Sequence, residues 1–179
     1  MFTMINDQCY LSWHKKLETS RVFRYFWEFS GIYVTGLFYV GVVLFFFPRW
    51  RIMAGLALIA FLFAKLVVTS TISFIYKRKR PYQKLEYCPP ASPIFLTFLH
   101  KKFDSMPSGH AASLAAISTV CWTFCPSIGI LGFIATFFNG IARVVLGYHH
   151  PSDILAGWLL GFATGYLAYA WLLPRLFTI

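Results

Sequence analysis

Acidic side chains are scarce in this chain: six Asp and Glu stand against sixteen Lys and Arg, and charged residues make up only 12% of 179. Soluble domains carry roughly 25%, so water is a poor candidate for the main solvent. No CxxC pair, HExxH helix or carboxylate cluster is present, so the usual signatures of a metal site or thiol redox centre are missing. The four cysteines, Cys9, Cys88, Cys121 and Cys125, read as small apolar residues, the last two sharing a helix face. The first twenty residues include Asp7, His14, Lys15, Lys16 and Glu18 and lack a continuous apolar core, so no cleavable signal peptide is expected. Neither a repeat nor a low-complexity tract appears, and the length suits one domain, residues 1–179.

What the chain has in abundance is apolar surface: 58% hydrophobic and 20% aromatic residues. These fall in five runs, Tyr25–Phe47, Ile52–Tyr76, Pro107–Phe124, Ile128–Leu146 and Pro151–Leu173. A bilayer core needs roughly 20 apolar residues in a helix. The expected fold is therefore all-α: an integral membrane bundle of about five transmembrane helices. A polar, amphipathic N-terminal segment, residues 1–24, precedes it, with Leu11–Ser20 expected as an interfacial helix.

The net charge of +10 sits mostly between His14 and Arg24 and in the loop 77–105. Basic clusters beside apolar spans imply a lipid bilayer surface or a lipid phosphate substrate as partner, and no nucleic acid. The sequence carries no signal for an oligomeric state. Five spans put the termini on opposite sides of a cell (inner) membrane. Taking Arg49, Arg51 and Arg175 as cytoplasmic markers puts the basic loop and the His149 turn on the extracytoplasmic face.

Three clusters carry chemistry. In Pro107-Ser108-Gly109-His110, proline suits the first helical position, and the amides that follow have no intrahelical acceptor. Such a helix start attracts an oxyanion, glycine admits it closely, and Ser108 and His110 add a hydroxyl and a titratable ring. The second cluster is Arg143, His149 and Asp153. A charge near a span end is costly unless it is paired or faces a ligand, and Asp153 lies four residues beyond His149, within reach of its ring. A carboxylate there fixes the tautomer and leaves the other nitrogen to attack. Arg143 as a snorkelling cation and Asp153 as a helix-start charge are the plainer readings. The third is Lys77-Arg78-Lys79-Arg80-Pro81, which either anchors the second span to lipid or, if the helix continues to Arg80, turns Lys77 and Arg80 to one face. Basic groups around two histidines and a helix N-terminus suit a phosphoryl group, and positioning with charge neutralisation is what phosphoryl transfer needs. No metal or other cofactor is expected.

These residues also resemble a known family. Arg80-Pro81, then Pro107-Ser108-Gly109-His110, then Arg143, five residues, His149, three residues, Asp153 stand in the order and spacing of the type-2 phosphatidic-acid phosphatase superfamily. Two positions depart from its pattern: Ala142 stands where a serine is usual, and Ser73 where a lysine is usual. The resemblance implies a metal-independent lipid phosphatase of five spans, similar to bacterial members acting on polyprenyl diphosphates. It implies His149 as nucleophile through a phosphohistidine, Asp153 orienting it, and His110 protonating the leaving oxygen. Arg80, Arg143, Ser108 and the Gly109 amide would hold phosphate, with Lys77 taking the place of the missing lysine. Lys65 lies about 22 Å from Arg80 along a straight helix, too deep for the same phosphate; a partner such as Asn139 and a snorkelling lysine are the two readings of it. Undecaprenyl diphosphate is the first-choice substrate; phosphatidylglycerophosphate, phosphatidic acid and lipid A are alternatives, as are a lipid phosphotransferase and an inactive scaffold of the same fold.

Overall fold

The computed structural model describes residues 6–46, 51–87 and 105–176. The turn residues Pro48 and Arg49, Cys88, and most of the basic loop, with Lys101 and Lys102, lie outside them. Every regular element among the described residues is a helix. The first, α1, is Asp7–Thr19, and Ser20 caps the next by accepting the Phe23 amide at 3.3 Å. The long helix α2 joins Arg21–Glu28, a wider π-wound segment Phe29–Tyr33, and Val34–Phe46. Likewise α3 joins Arg51–Leu62, a π segment Phe63–Val68, and Thr69–Ile75. After an extended stretch comes the short α4, Pro81–Lys84, then α5, Gly109–Phe124, and α6, Pro126–Val145. Finally α7 runs from Pro151–Leu167 through a π segment, Ala168–Leu172, to Leu173–Leu176.

Four of these helices are long and apolar enough to cross a membrane: Arg21–Leu44, Arg51–Ile75, Pro126–Val145 and Pro151–Leu172. The expected third span is a 16-residue helix, α5, about 24 Å long. It lies enclosed by the others, with Ala111 through Ser118, Val120 and Cys121 all buried. Enclosure follows from its composition, because a helix apolar all round has no face to offer water. Small residues let α7 approach it closely. A Cβ added to Gly157 would lie 2.7 Å from the Ser108 carbonyl oxygen, and one on Gly161 2.2 Å from that of Ala112. One on Gly165 would lie 2.6 Å from the Ala116 carbonyl. Glycines four apart thus line the backbone contact, as in small-residue packing between membrane helices. On the outside of the bundle Leu44, Leu66, Phe74, Leu131 and Leu159 are exposed, a surface suited to lipid.

The π segments matter because a π turn displaces the regular hydrogen-bond ladder. In α2, the Asn139 side-chain amide donates to the carbonyls of Ser30 at 2.8 Å and Gly31 at 3.2 Å. Asn139 therefore serves the α2–α6 contact, and the suggested Lys65–Asn139 partnership is replaced by it. In α3, the Lys65 carbonyl accepts from the Thr69 and Ser70 hydroxyls at 2.7 and 3.2 Å.

The N-terminal helix is docked. The Lys84 ammonium bonds Asp7 at 2.8 Å, Tyr10 is buried edge-on to the His150 ring at 6.1 Å, and His14 stacks on Tyr87 at 4.4 Å. Leu17 is buried against Leu146 and Tyr148. This helix therefore covers the end of the bundle where α3, α5 and the α6–α7 turn meet.

Candidate active site

The extended stretch after α3 decides which basic residues face inward. The helix of the second span stops at Ile75, with Tyr76 at φ −102° and ψ 83°, and does not continue to Arg80. Pro81 holds Arg80 extended, at φ −74° and ψ 156°, because the residue before a proline is pushed out of the helical region. Along an extended chain successive side chains alternate, so Lys77 and Lys79 are exposed while Arg78 and Arg80 are buried. Lys77 therefore does not share a helix face with Arg80, which removes the ground for its expected role. Gln83 accepts the Arg80 amide at 2.9 Å, and the Tyr82 amide donates to the Gly147 carbonyl at 3.2 Å, pinning this segment to the α6–α7 turn.

Arg78 belongs to the basic run, but sequence reasoning gave it no role. Its guanidinium donates to Asp153 Oδ1 at 2.6 Å and to the Ser152 hydroxyl at 2.7 Å. Its signal was partial: Pro81 puts Arg80 in the extended region, and only where the extension reaches back to Lys77 does the two-residue period select Arg78 together with Arg80.

The start of α5 also comes two residues later than expected. Gly109, not Pro107, is the first helical residue, and Ser108 caps it, its hydroxyl accepting the Ala111 amide at 3.5 Å. The Ser108 amide donates to the Asp153 carbonyl at 3.0 Å, so it is occupied in joining α5 to α7. The Gly109 and His110 amides lie in the first turn, before any intrahelical acceptor. Gly109 and His110 are half-buried, whereas Ser108 is fully buried.

The α6–α7 turn brings Arg143 and His149 together. Gly147 takes a positive φ of 75°, and the Arg143 carbonyl accepts the amides of both Tyr148 and His149, at 3.0 and 3.2 Å. The Arg143 guanidinium lies over the Tyr148 ring, 5.1 Å from its centre, and contacts His110 Nδ1. A guanidinium only donates, so that nitrogen accepts and the neutral His110 ring carries its proton on Nε2. His149 and Arg143 are each 3% exposed and Asp153 is fully buried. Arg143, His110, His149 and Asp153 thus gather at one end of the bundle.

Asp153 is engaged differently from expectation. Its Oδ2 accepts from the Ser105 hydroxyl at 2.6 Å and the His150 amide at 2.8 Å, while Oδ1 takes Arg78. The distance to His149 Nδ1 is 3.9 Å. The near partner of that nitrogen is the Ser105 carbonyl at 2.7 Å.

Lys65 also requires correction. A Cβ on Gly109 would lie 3.8 Å from Lys65 Cγ and 3.4 Å from the Thr69 hydroxyl. Depth measured from Arg80 used the wrong reference, because the start of α5 descends alongside α3 and brings Gly109 to Lys65. The Lys65 ammonium rests over the Phe61 ring, 5.5 Å from its centre. Ala142, in place of the usual serine, turns towards α2, with its Cβ 3.3 Å from a Cβ placed on Gly31.

Burial raises the Tyr10 phenol above its ordinary value and pushes Tyr87 up to about 12. It also lowers the His150 imidazole, with the Arg78 charge acting in the same direction. Among the described residues no group of three or more His, Cys, Asp or Glu gathers around one point. Two imidazoles, buried arginines and a helix start at one rim can hold a tetrahedral oxyanion and present a nucleophile to it.

A family model described as the PAP2 superfamily matches residues 54–176. Bacitracin transport permease protein BcrC of Bacillus licheniformis is 26% identical over 151 residues, covering 83% of this chain and 70% of that one. An undecaprenyl-diphosphatase of Sulfolobus acidocaldarius is 29% identical over 135 residues, 75% of this chain and 59% of that one. The crystal structure of a transmembrane PAP2-type phosphatidylglycerolphosphate phosphatase from Bacillus subtilis matches with 22% identity, 90% of each chain covered and a TM-score of 0.48. The matched span takes in every residue of the three clusters and four of the helices that frame them, and on that match the chain belongs to the PAP2 superfamily.

Proposed function

We propose that this chain is a multi-pass membrane lipid phosphatase that removes a terminal phosphate from a polyprenyl diphosphate, undecaprenyl diphosphate being the first choice. The observation that carries this reading is the meeting of Arg143 with His110 beside His149, at the start of α5. His149, with Nδ1–H held by a carbonyl, attacks phosphorus in line through Nε2. The N–P bond forms as the P–O bond to the lipid breaks, and His110, protonated also at Nδ1 once Arg143 turns to the phosphate, gives its Nε2 proton to the leaving oxygen and returns to the neutral ring. In the second step His110 takes a proton from water, which attacks the phosphohistidine, restoring His149 and releasing inorganic phosphate. Arg80, Arg143 and the first-turn amides at Gly109 neutralise the equatorial oxygens. Ser108 acts by capping α5. We assign the cation missing at Ser73 to Lys65, whose flexible stem lies beside Gly109, rather than to exposed Lys77.

The diphosphate is favoured by the basic loop, since a second phosphate uses extra cations, and by the name of the archaeal relative. An extracytoplasmic site is favoured by Arg51 and Arg175, which lie at the opposite ends of α3 and α7 from Arg78 and Asp153. The experiment is phosphate release by purified protein from undecaprenyl diphosphate and phosphatidylglycerol phosphate at matched surface concentration. Faster release from the prenyl substrate is expected. Strong preference for the glycerophospholipid overturns the substrate choice, and equal release by His149→Ala overturns the enzyme.

A further inference from the structure

A neutral imidazole holds one N–H and one lone pair, and the partner of the N–H decides which nitrogen attacks. His149 Nδ1 has two oxygens nearby, the Ser105 carbonyl at 2.7 Å and Asp153 Oδ2 at 3.9 Å. Only the first is within hydrogen-bond range. Asp153 is occupied elsewhere, by Arg78, the His150 amide and the Ser105 hydroxyl.

Ser105 therefore stands between carboxylate and imidazole, using all three of its polar groups. Its amide donates to the Arg78 carbonyl at 3.2 Å, its hydroxyl to Asp153 at 2.6 Å, and its carbonyl accepts from His149. The residue is fully buried. With amide and hydroxyl both tied down, its carbonyl direction is fixed, and that direction sets the plane and tautomer of the ring.

We propose that Ser105 is the positioning residue of His149, transmitting the Asp153 anchor to the imidazole through its own hydroxyl and carbonyl. This rests on the reading of His149 as the nucleophile and adds how that nucleophile is held. Asp153 acts on the ring through Ser105 rather than by direct contact. Removing the hydroxyl has two consequences. The carbonyl loses its second tether, so Nε2 drifts from the line of attack. A lone pair on Asp153 Oδ2 is also released 3.9 Å from Nδ1. A carboxylate that closes this gap stabilises the imidazolium more than a carbonyl does.

The test compares wild type, Ser105→Ala and Ser105→Thr by kinetics on a detergent-solubilised lipid diphosphate and by ¹⁵N NMR of histidine-labelled protein, with His149→Gln supplying the assignment. Misplacement of a reacting atom costs about 10²-fold, so kcat of Ser105→Ala is expected to fall by that order with KM little changed, and Ser105→Thr to recover most of it. The acid limb of kcat/KM moves to higher pH in Ser105→Ala. In the spectra, neutral His149 of wild type is the Nδ1–H tautomer, and Ser105→Ala takes up its proton at higher pH. If Ser105→Ala does not yield folded protein, Ser105→Cys, a weaker donor, is expected to shift the same quantities less. Unchanged kcat, pH profile and imidazole titration overturn the role of Ser105. Should wild type release no phosphate from any lipid, the phosphatase reading fails by itself, and the NMR titration still decides for or against Ser105.

Discussion

The Arg78 guanidinium donates to Asp153 Oδ1 at 2.6 Å, with side chains 6% and 0% exposed. This buried ion pair joins the stretch after α3 to the first turn of α7, and Asp153 further accepts from Ser105 and His150. Removing one member of such a pair leaves an uncompensated buried charge, at a cost of about 3–5 kcal/mol. Arg78→Met is therefore expected to lower the unfolding midpoint in detergent strongly. The double variant Arg78→Met, Asp153→Asn recovers part of that loss, because the stranded charge is gone. A double variant less stable than the sum of the singles contradicts this account.

Lys65 and Lys77 separate two ways of filling the empty lysine position. A hydrogen bond to a charged group contributes about 1.5–3 kcal/mol, and each 1.36 kcal/mol is about tenfold in rate. Lys65→Gln is thus expected to lose roughly 10- to 100-fold in kcat/KM, while Lys77→Gln stays near wild type. The reverse pattern returns the role to Lys77.

His150 gives a pH dependence of stability. Burial, followed by the charge of Arg78, holds its imidazole below the ordinary 6.5; Asp153 opposes this and Lys84 adds to it. As pH falls below 6.5 the unfolded chain takes up the proton while the folded chain resists. Stability is lost from 6.5 downward until the lowered folded value is reached, and above 6.5 the group contributes no slope. His150→Gln should flatten the unfolding midpoint against pH in that acid window. An unchanged slope shows that His150 is not the group responsible.

Orientation is readable from native cysteines. Cys9 is exposed on α1, at the site end, and Cys125 closes α5 at the far end. In a Cys88→Ser background, an impermeant maleimide is expected to label Cys9 in intact cells and Cys125 only after permeabilisation. Labelling of Cys125 alone in intact cells inverts the proposed topology.

Much of the site was legible because its chemistry is written in short spacings. The interval from Arg143 to His149 spans one turn, and His149 to Asp153 spans four residues, so local geometry alone brought them near each other. Arg78 was less legible because the run Lys77–Arg80 was weighed only as a lipid anchor or a continuing helix, and neither shows the two-residue alternation of an extended chain. Lys65 was misjudged because its depth was measured along its own helix, whereas the partner that matters, Gly109, arrives from another. Ser105 was invisible since its contribution is mostly backbone, and a carbonyl leaves no mark on residue type. In the fold, the apolar runs marked the helices, yet the enclosure of α5 depends on the Gly157, Gly161 and Gly165 stripe, whose four-residue period was not used.

The central claim is that phosphate passes through His149, and covalent trapping tests it most directly. Purified protein is mixed with undecaprenyl diphosphate carrying a labelled terminal phosphate, quenched in alkali within one turnover, and the modified peptide mapped. The account predicts an acid-labile, alkali-stable label on His149 in wild type, and neither label nor phosphate release in His149→Ala. Phosphate release by His149→Ala at the wild-type rate, or a label on any other residue, contradicts it.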